Sequence, residues 1–285
     1  MFSVTLPEFQ QGDLILFVHG ALADARMWQP HIECLGGVCQ GYAVSQRYFG
    51  AQGQEHSGEF GINQHAQDLL QWLQALPGGI RVHLVGWSYG ADVVLAALTH
   101  APSQVASAFV YDPGYPGCLS KDEMGEFMTD AGAMFDPVIP HLEEGRLEQA
   151  VAALIDGSGQ ALGYFHQQPE VLQQQQLDNA HTLVQQMQQA PATDLCAARL
   201  SAITVPVTLA TGARSRVLFR LVTQSVKPHL AAVRWLQPDA NHMWPLEQPT
   251  AFVAALHEHL QALAEPWQAQ TLSSDTAVLE TAAGS

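Results

Sequence analysis

A serine flanked by two glycines, in the run Gly86-Trp87-Ser88-Tyr89-Gly90, stands where an apolar segment gives way to a helix-like one. The apolar segment covers residues 82–85 and the helix-like segment residues 91–98. A glycine two residues away on each side is typical of a sharp turn whose serine has a strained backbone that only small neighbours tolerate. The pattern therefore predicts a strand, a tight turn and a helix, with the serine hydroxyl lifted clear of a sheet.

Ser88 is a candidate nucleophile because of this setting. The helix that follows points its amino end at the hydroxyl, and the free N–H groups there favour developing negative charge. A serine hydroxyl is nevertheless a poor nucleophile until a base removes its proton and a carboxylate orients that base. The pentapeptide alone is modest evidence, so the base and the acid must be found elsewhere in the chain.

His242 is the histidine, among thirteen in the chain, whose position best fits a base. It follows an apolar stretch at 231–236 and precedes an amphipathic helix predicted over 249–263. A base on a loop between the last strand and the last helix fits the chain order serine, acid, histidine. We therefore predict that His242 is the base, and a structural role is the alternative.

Three segments together resemble the α/β-hydrolase superfamily: Phe17-Val18-His19-Gly20-Ala21, the turn at Ser88, and Asn241-His242-Met243. They frame nearly the whole chain. The resemblance implies that the backbone N–H groups of Ala21 and Tyr89 hold the oxyanion, a task that requires no particular side chain. For His19, a buried imidazole that braces the loop is the favoured interpretation.

The acid departs from the commonest arrangement in that superfamily, an aspartate three residues after a glycine at the end of the penultimate strand. That strand is predicted over 205–210, and the expected position holds Ser215. Some members carry the acid one strand earlier, where the predicted strand 107–111 ends in Asp112. We predict Asp112 as the acid, because sites of parallel sheets form at the carboxyl ends of their strands. The alternatives are a merely turn-forming Asp112, or Asp239 or Asp194 as the acid.

Strand-like apolar runs alternate with helical patterns along the chain. This predicts an α/β fold, as in the α/β hydrolases, with a mostly parallel central sheet of six to eight strands and helices on both faces. The predicted strands are 14–18, 42–45, 82–85, 107–111, 205–210 and 233–236. We assign residues 1–114 and 196–265 to this core. The tail 266–285 loses periodicity, which is typical of a disordered segment.

The segment 115–195 is too long to join two strands through one helix, so we expect an inserted helical cap. Most of its apolar residues should attach the cap to the core, and a minority should face the serine. Phe127, Met128 and Phe165 are the candidate substrate contacts. The glutamine-rich run 173–176, with Gln185, Gln186, Gln188 and Gln189, is interpreted as the solvated face of a cap helix. Helical patterns cover 121–135, 137–144, 147–155, 169–187 and 195–200, with a glycine-containing break at 156–159.

Charge limits the partners of the chain. Eleven basic and twenty-seven acidic residues give a net charge of −16, a balance that repels nucleic acid and anionic membranes. A small-molecule substrate is therefore the expected partner. Arg47 is a candidate for the mouth of the pocket, and a solvated or salt-bridged Arg47 is the favoured alternative. The four cysteines show no paired metal spacing, so neither a metal nor another cofactor is expected.

Neither a membrane-spanning apolar stretch nor a secretory signal is visible in the sequence, so we expect a cytoplasmic protein. The whole pattern predicts a serine hydrolase that cleaves a small to medium, largely apolar carboxylic ester, or a lactone or thioester, through an acyl-enzyme on Ser88. A carbon–carbon bond hydrolase or a cofactor-free perhydrolase with the same triad is an alternative. A catalytically silent, ligand-binding member of the fold is another, favoured by Ser215 at the usual position of the acid.

Overall fold

The computed structural model describes residues 8–37, 39–51, 53 and 58–263. The predicted tail 266–285 lies outside the described residues. The described residues include the whole predicted insertion, 115–195.

A parallel sheet organises the described part of the chain. Its strands are β1 (Gly12–Val18), β2 (Gln40–Val44), β3 (Ile80–Trp87), β4 (Val105–Tyr111), β5 (Val207–Ala210) and β6 (Val233–Leu236). Their order across the sheet is β2-β1-β3-β4-β5-β6, and all neighbouring pairs are parallel. The predicted α/β fold with a largely parallel sheet is confirmed, at the lower end of the predicted strand number.

Both faces of the sheet are covered by helices. In β1, Leu14 and Leu16 belong to one hydrophobic cluster, whereas Ile15 and Phe17 belong to the other. This alternation follows from the period of two in a strand, and burial of both faces explains why the strand reads as a continuous apolar run. The core helices are α1 (Gln29–Cys34), α2 (Ile62–Gln74), α3 (Tyr89–Leu98), α11 (Val217–Val226), α12 (Trp244–Glu247) and α13 (Pro249–Ala262).

The inserted segment 115–195 is helical. It contains α4 (Lys121–Phe135), α5 (Ile139–Glu143), α6 (Leu147–Gly159), α7 (Tyr164–Gln167), α8 (Glu170–Asp178) and α9 (Thr182–Met187), and α10 (Ala197–Leu200) follows it. The predicted break at 156–159 is wrong, because α6 continues to Gly159. A Cβ atom on Gly157 would lie 3.0 Å from the carbonyl oxygen of Met134, so this glycine allows close packing of α6 on α4. The helix predicted over 169–187 is divided into α8 and α9.

A buried polar cluster attaches α8 to the loop before α1. Asp24 accepts hydrogen bonds from Gln175 Nε2 at 2.7 Å and from Asn179 Nδ2 at 3.0 Å. Gln175 and Gln176 are each only 4% exposed. The interpretation of the glutamines as a solvated face is therefore wrong for Gln175 and Gln176, because both are buried. It is also wrong for Gln186 and Gln189, which line the cavity beside Ser88.

An ion pair attaches the insertion to the core on its other side. Arg216, at the start of α11, donates to both carboxylate oxygens of Asp130 in α4, at 3.2 and 2.8 Å. The same guanidinium donates to the carbonyl oxygen of Gly157 in α6 at 3.0 Å. Two helices of the insertion are thus held against one helix of the core.

No helix within the described residues combines the length and apolar character needed to cross a bilayer. In the same part of the chain, no three His, Cys, Asp or Glu side chains are grouped so that they would hold a metal ion.

Candidate active site

Ser88 occupies a strained turn between β3 and α3, with a φ of 55° and a ψ of −125°. The two glycines of the pentapeptide are required by close backbone approaches. A Cβ atom on Gly86 would lie 2.6 Å from the carbonyl oxygen of Gly90, and one on Gly90 would clash with the carbonyl oxygens of Val18 and His19. Strain of this kind persists only where the surroundings enforce it, and it is common at functional sites.

The structure brings the three residues of the predicted triad together. His242 Nε2 lies 3.1 Å from Ser88 Oγ, and His242 Nδ1 lies 3.0 Å from Asp112 Oδ2. Asp112 is fully buried and His242 is 3% exposed. A carboxylate only accepts hydrogen bonds, so Nδ1 carries a proton and donates a hydrogen bond to Asp112 Oδ2. That tautomer leaves Nε2 free to accept the hydroxyl proton of Ser88.

Ser215 contacts the acid whose usual place it occupies. Its hydroxyl donates to Asp112 Oδ2 at 2.5 Å. Thr211 Oγ1 donates to Asp112 Oδ1 at 2.6 Å, and the Gly212 N–H donates to the same oxygen at 3.3 Å. The loop after β5 therefore supplies donors to a carboxylate that arrives from β4.

The two alternative acids lie in other surroundings. Asp239 is 83% exposed at its side chain and forms an ion pair with Arg214. Asp194 contacts His100 Nε2 at 3.0 Å and Arg199 Nε at 3.3 Å. Among the described residues, Asp112 is the one whose carboxylate contacts His242.

Long-range contacts fix the ring and the backbone of His242. The ring of Phe219 stacks on the imidazole with a centroid distance of 3.7 Å and an interplanar angle of 4°. Trp87 Nε1 donates to the carbonyl oxygen of His242 at 2.8 Å, and the Tyr111 hydroxyl donates to that of Asn241 at 2.6 Å. Sequence reasoning missed Phe219, because its position in α11 carries no signal beyond an ordinary apolar helix face.

His19 braces the loop after β1. It is fully buried, and burial lowers its pKa from 6.5 to about 4, so the imidazole is neutral. Its Nδ1 donates to the carbonyl oxygen of Gly20 at 2.8 Å, and its Nε2 accepts the Gln46 N–H at 3.0 Å. The favoured interpretation of His19 is confirmed. This loop passes close to the nucleophile, since a Cβ atom on Gly20 would lie 3.2 Å from Ser88 Cβ.

A cavity of about 160 Å³ opens beside Ser88 and His242. Ala21 and Tyr89, the residues expected to hold the oxyanion, both line it. Apolar side chains of the insertion and of α11 form much of its wall, namely Phe127, Met134, Phe135, Leu154, Leu218 and Phe219. A larger groove of about 530 Å³, lined by residues of α2 and the loop after α3, contains none of the triad residues. The chemistry therefore belongs to the smaller cavity.

Of the three apolar candidates for substrate contact, only Phe127 lines this cavity. Met128 is 60% exposed, because adjacent positions of a helix point about 100° apart. Phe165 is 1% exposed and packs in the core. Arg47 lies outside the cavity wall and donates to both carboxylate oxygens of Asp68, each at 2.7 Å. The structure thus does not place Met128, Phe165 or Arg47 where substrate contact was expected.

Asp92 is a cavity residue that sequence reasoning missed. It follows Ser88 by one helical turn, is 4% exposed, and lines the same cavity. Its carboxyl oxygens accept the N–H groups of Gly114 and Tyr115 at 3.1 Å. Burial raises its pKa from 3.8 to about 7, against the lowering effect of these backbone hydrogen bonds.

Known structures share this architecture at low sequence identity. MenH from S. aureus superposes with a TM-score of 0.69 at 16% identity, over 90% of this chain and 96% of that one. A thermophilic esterase from Thermogutta terrifontis gives a TM-score of 0.63 at 20% identity, over 90% and 92% of the two chains. The carboxylesterase CesB from Bacillus subtilis gives 0.60 at 19% identity, over 87% and 83%. At such identities these likenesses show the fold alone.

No curated protein sequence matches the chain significantly. A sequence model of a protein family does match it, over residues 15–256. The matched range begins within β1 and ends within α13, so it contains β2 to β6, the second half of β1, and Ser88, Asp112 and His242. The chain belongs to the alpha/beta hydrolase family.

Proposed function

We propose that the protein is a serine carboxylesterase that works through an acyl-enzyme on Ser88. The single observation that carries the proposal is the continuous contact chain from Ser88 Oγ through the His242 ring to Asp112, at 3.1 and 3.0 Å. Nucleophile, base and orienting acid with this spacing are the arrangement that activates a serine hydroxyl.

In the first half of the reaction, His242 Nε2 takes the hydroxyl proton as Ser88 Oγ attacks the ester carbonyl. The backbone N–H groups of Ala21 and Tyr89 hold the negative oxygen of the tetrahedral intermediate, and the amino end of α3 adds to this stabilisation. Asp112 stabilises the imidazolium without taking its proton. His242 then returns the proton to the departing alcohol, which leaves the acyl group on Ser88.

In the second half, water enters beside His242, which takes a proton from it while the water oxygen attacks the acyl carbon. Collapse of the second tetrahedral intermediate releases the acid and returns the proton to Ser88. The inserted segment acts as a cap over this chemistry, and its apolar side chains support a small to medium substrate with a largely apolar body, or a lactone or thioester of similar shape. No step draws on a metal or other cofactor.

Ser215 no longer favours a catalytically silent protein, because its hydroxyl supports Asp112. The same triad also serves carbon–carbon bond hydrolysis and perhydrolysis, so product analysis must accompany the kinetics.

Labelling with a fluorophosphonate tests the proposal without knowledge of the substrate. We expect the intact protein to be labelled covalently and the Ser88→Ala variant to remain unlabelled. His242→Ala should lose turnover of a short nitrophenyl ester to a similar extent as Ser88→Ala, because triad members act as a unit. Undiminished turnover by a folded Ser88→Ala protein rejects the proposal.

A further inference from the structure

Asp92 brings a buried carboxyl group into the cavity, and no ion pair among the described residues involves it. No Lys or Arg is present among the described residues that line this cavity, whose ionisable groups are Asp92, His242, Tyr89 and Tyr115. A buried carboxylate is normally paired with a cation, because desolvation of an unpaired charge is costly. The two N–H groups that Asp92 accepts do not require its charge, since an asparagine side-chain oxygen would accept them equally well.

Aromatic rings surround the same space. Tyr115, Phe127, Phe135 and Phe219 all line the cavity. A Cβ atom on Gly114 would lie 3.8 Å from Asp92 Oδ2 and 3.3 Å from Phe219 Cε1, so the carboxyl group and the ring that stacks on His242 both lie near Gly114. The faces of aromatic rings attract cations, and a carboxylate adds direct charge attraction.

We propose that the cavity binds an ester whose apolar body ends in a cationic group, a quaternary or protonated amine, held by Asp92 and the surrounding rings. The inference rests on the proposed esterase function and adds to it the chemical class of the substrate. Methyl or methylene groups around the nitrogen match the apolar wall of the cavity, and the positive charge forms an ion pair with the carboxylate of Asp92.

Two further observations agree with this substrate class. Burial raises the pKa of Asp92 to about 7, because desolvation disfavours the charged form, and a bound cation would favour that form. The net charge of −16 attracts cationic ligands from solution and repels anionic ones.

A pair of esters that differ only in charge tests the proposal. The nitrophenyl ester of 4-(trimethylammonio)butanoic acid and that of 5,5-dimethylhexanoic acid have the same shape, with nitrogen in one replaced by carbon in the other. We expect the intact protein to show a kcat/KM at least about tenfold higher for the cationic ester. The neutral ester reports on the acylation machinery of each variant, so the ratio isolates recognition of the charge.

Asp92→Asn keeps an acceptor for Gly114 and Tyr115 and removes the charge, so the preference for the cationic ester should fall to near unity. Asp239→Asn is the matched control, because it removes one negative charge from an exposed position outside the cavity and should leave the ratio unchanged. A ratio near unity in the intact protein, or an unchanged ratio in Asp92→Asn, overturns the proposal.

A binding measurement on the intact protein keeps the proposal testable if Asp92→Asn does not fold. Choline should bind at least about tenfold more tightly than its uncharged analogue 3,3-dimethylbutan-1-ol, as measured by titration calorimetry. Equal binding of the two alcohols contradicts a cation site. Calorimetry needs no turnover, so failure of fluorophosphonate labelling rejects the esterase function, whereas failure of this comparison rejects the cation site.

Discussion

The side chain of Asp112, at the end of β4, contacts Thr211, Gly212 and Ser215, which follow β5, and His242, which follows β6. Asp112→Asn should preserve the fold and lower kcat about 10⁴-fold, because an amide favours the wrong imidazole tautomer and cannot stabilise the imidazolium. Steady-state kinetics with a nitrophenyl ester, together with circular dichroism, provides the check. Near-normal kinetics in a folded variant would remove Asp112 from the mechanism.

Position 215 is a second place from which a carboxylate is expected to reach His242 Nδ1. The Ser215 hydroxyl lies 2.5 Å from Asp112 Oδ2, which itself lies 3.0 Å from His242 Nδ1. Ser215→Asp in the Asp112→Asn background should therefore recover part of the lost kcat. Ser215→Asn in the same background is the matched control, since it has a similar size without a charge. Equal activity of the two double variants would show that a carboxylate at position 215 cannot replace Asp112.

The triad candidates were predictable because each has a local signal: glycines around Ser88, a strand end before Asp112, and a loop between strand and helix before His242. Phe219 and Asp92 have no such signal. Their importance comes from the neighbours that the fold brings to them. Phe219 stacks on the imidazole of His242, and Asp92 lines the cavity, where none of the described lining residues is a Lys or Arg.

At the scale of elements, strands were easier to predict than the packing of inserted helices. A strand buried on both faces appears in the sequence as an unbroken apolar run, as at residues 14–18 of β1. The insertion has apolar residues both against the core and towards the cavity, so periodicity does not identify which face is which. Phe127 and Met128 are neighbours in sequence, yet one lines the cavity and the other is exposed.

Asp24 should be the residue on which attachment of α8 most depends. It is 1% exposed and accepts hydrogen bonds from Arg26, Gln175 and Asn179. Asp24→Ala leaves buried donors without an acceptor and should lower the free energy of unfolding by about 2–4 kcal/mol. Urea titration measures the change.

An exposed ion pair provides the control for Asp24→Ala. Arg81 and Asp13 contact each other at 2.8 Å, with side chains that are 69% and 36% exposed. Arg81→Ala should lower the free energy of unfolding by less than about 1 kcal/mol, because solvent screens such pairs. Equal losses in both variants would argue against Asp24 as a buried attachment point.

At the scale of the whole molecule, several buried imidazoles must stay neutral in the folded state. Burial lowers the pKa of His19 and His31 to about 4, and that of His65 and His259 to about 3. In the unfolded chain each titrates near 6.5. Below that pH the unfolded state binds more protons than the folded state, so stability falls as pH falls.

Asp92 changes stability with pH in the opposite direction to the histidines. Its folded pKa of about 7 exceeds its unfolded value of 3.8, so its unfavourable contribution grows as pH rises between these values. One carboxyl group offsets only part of the effect of four histidines. The net expectation is a free energy of unfolding that falls steeply between about pH 6.5 and 4, the window set by the histidine shifts.

His259 allows this expectation to be tested at one position. Its Nε2 lies 2.8 Å from Ser107 Oγ in β4, and its Nδ1 lies 2.8 Å from Thr208 Oγ1 in β5. The imidazole thus contacts both strands. His259→Gln keeps a polar side chain that does not titrate, so the slope of unfolding free energy against pH between 6 and 4 should decrease by about 1.4 kcal/mol per pH unit. Urea titrations at a series of pH values give both slopes. Parallel curves for the two proteins would show that His259 binds its proton equally well in the folded and unfolded chains.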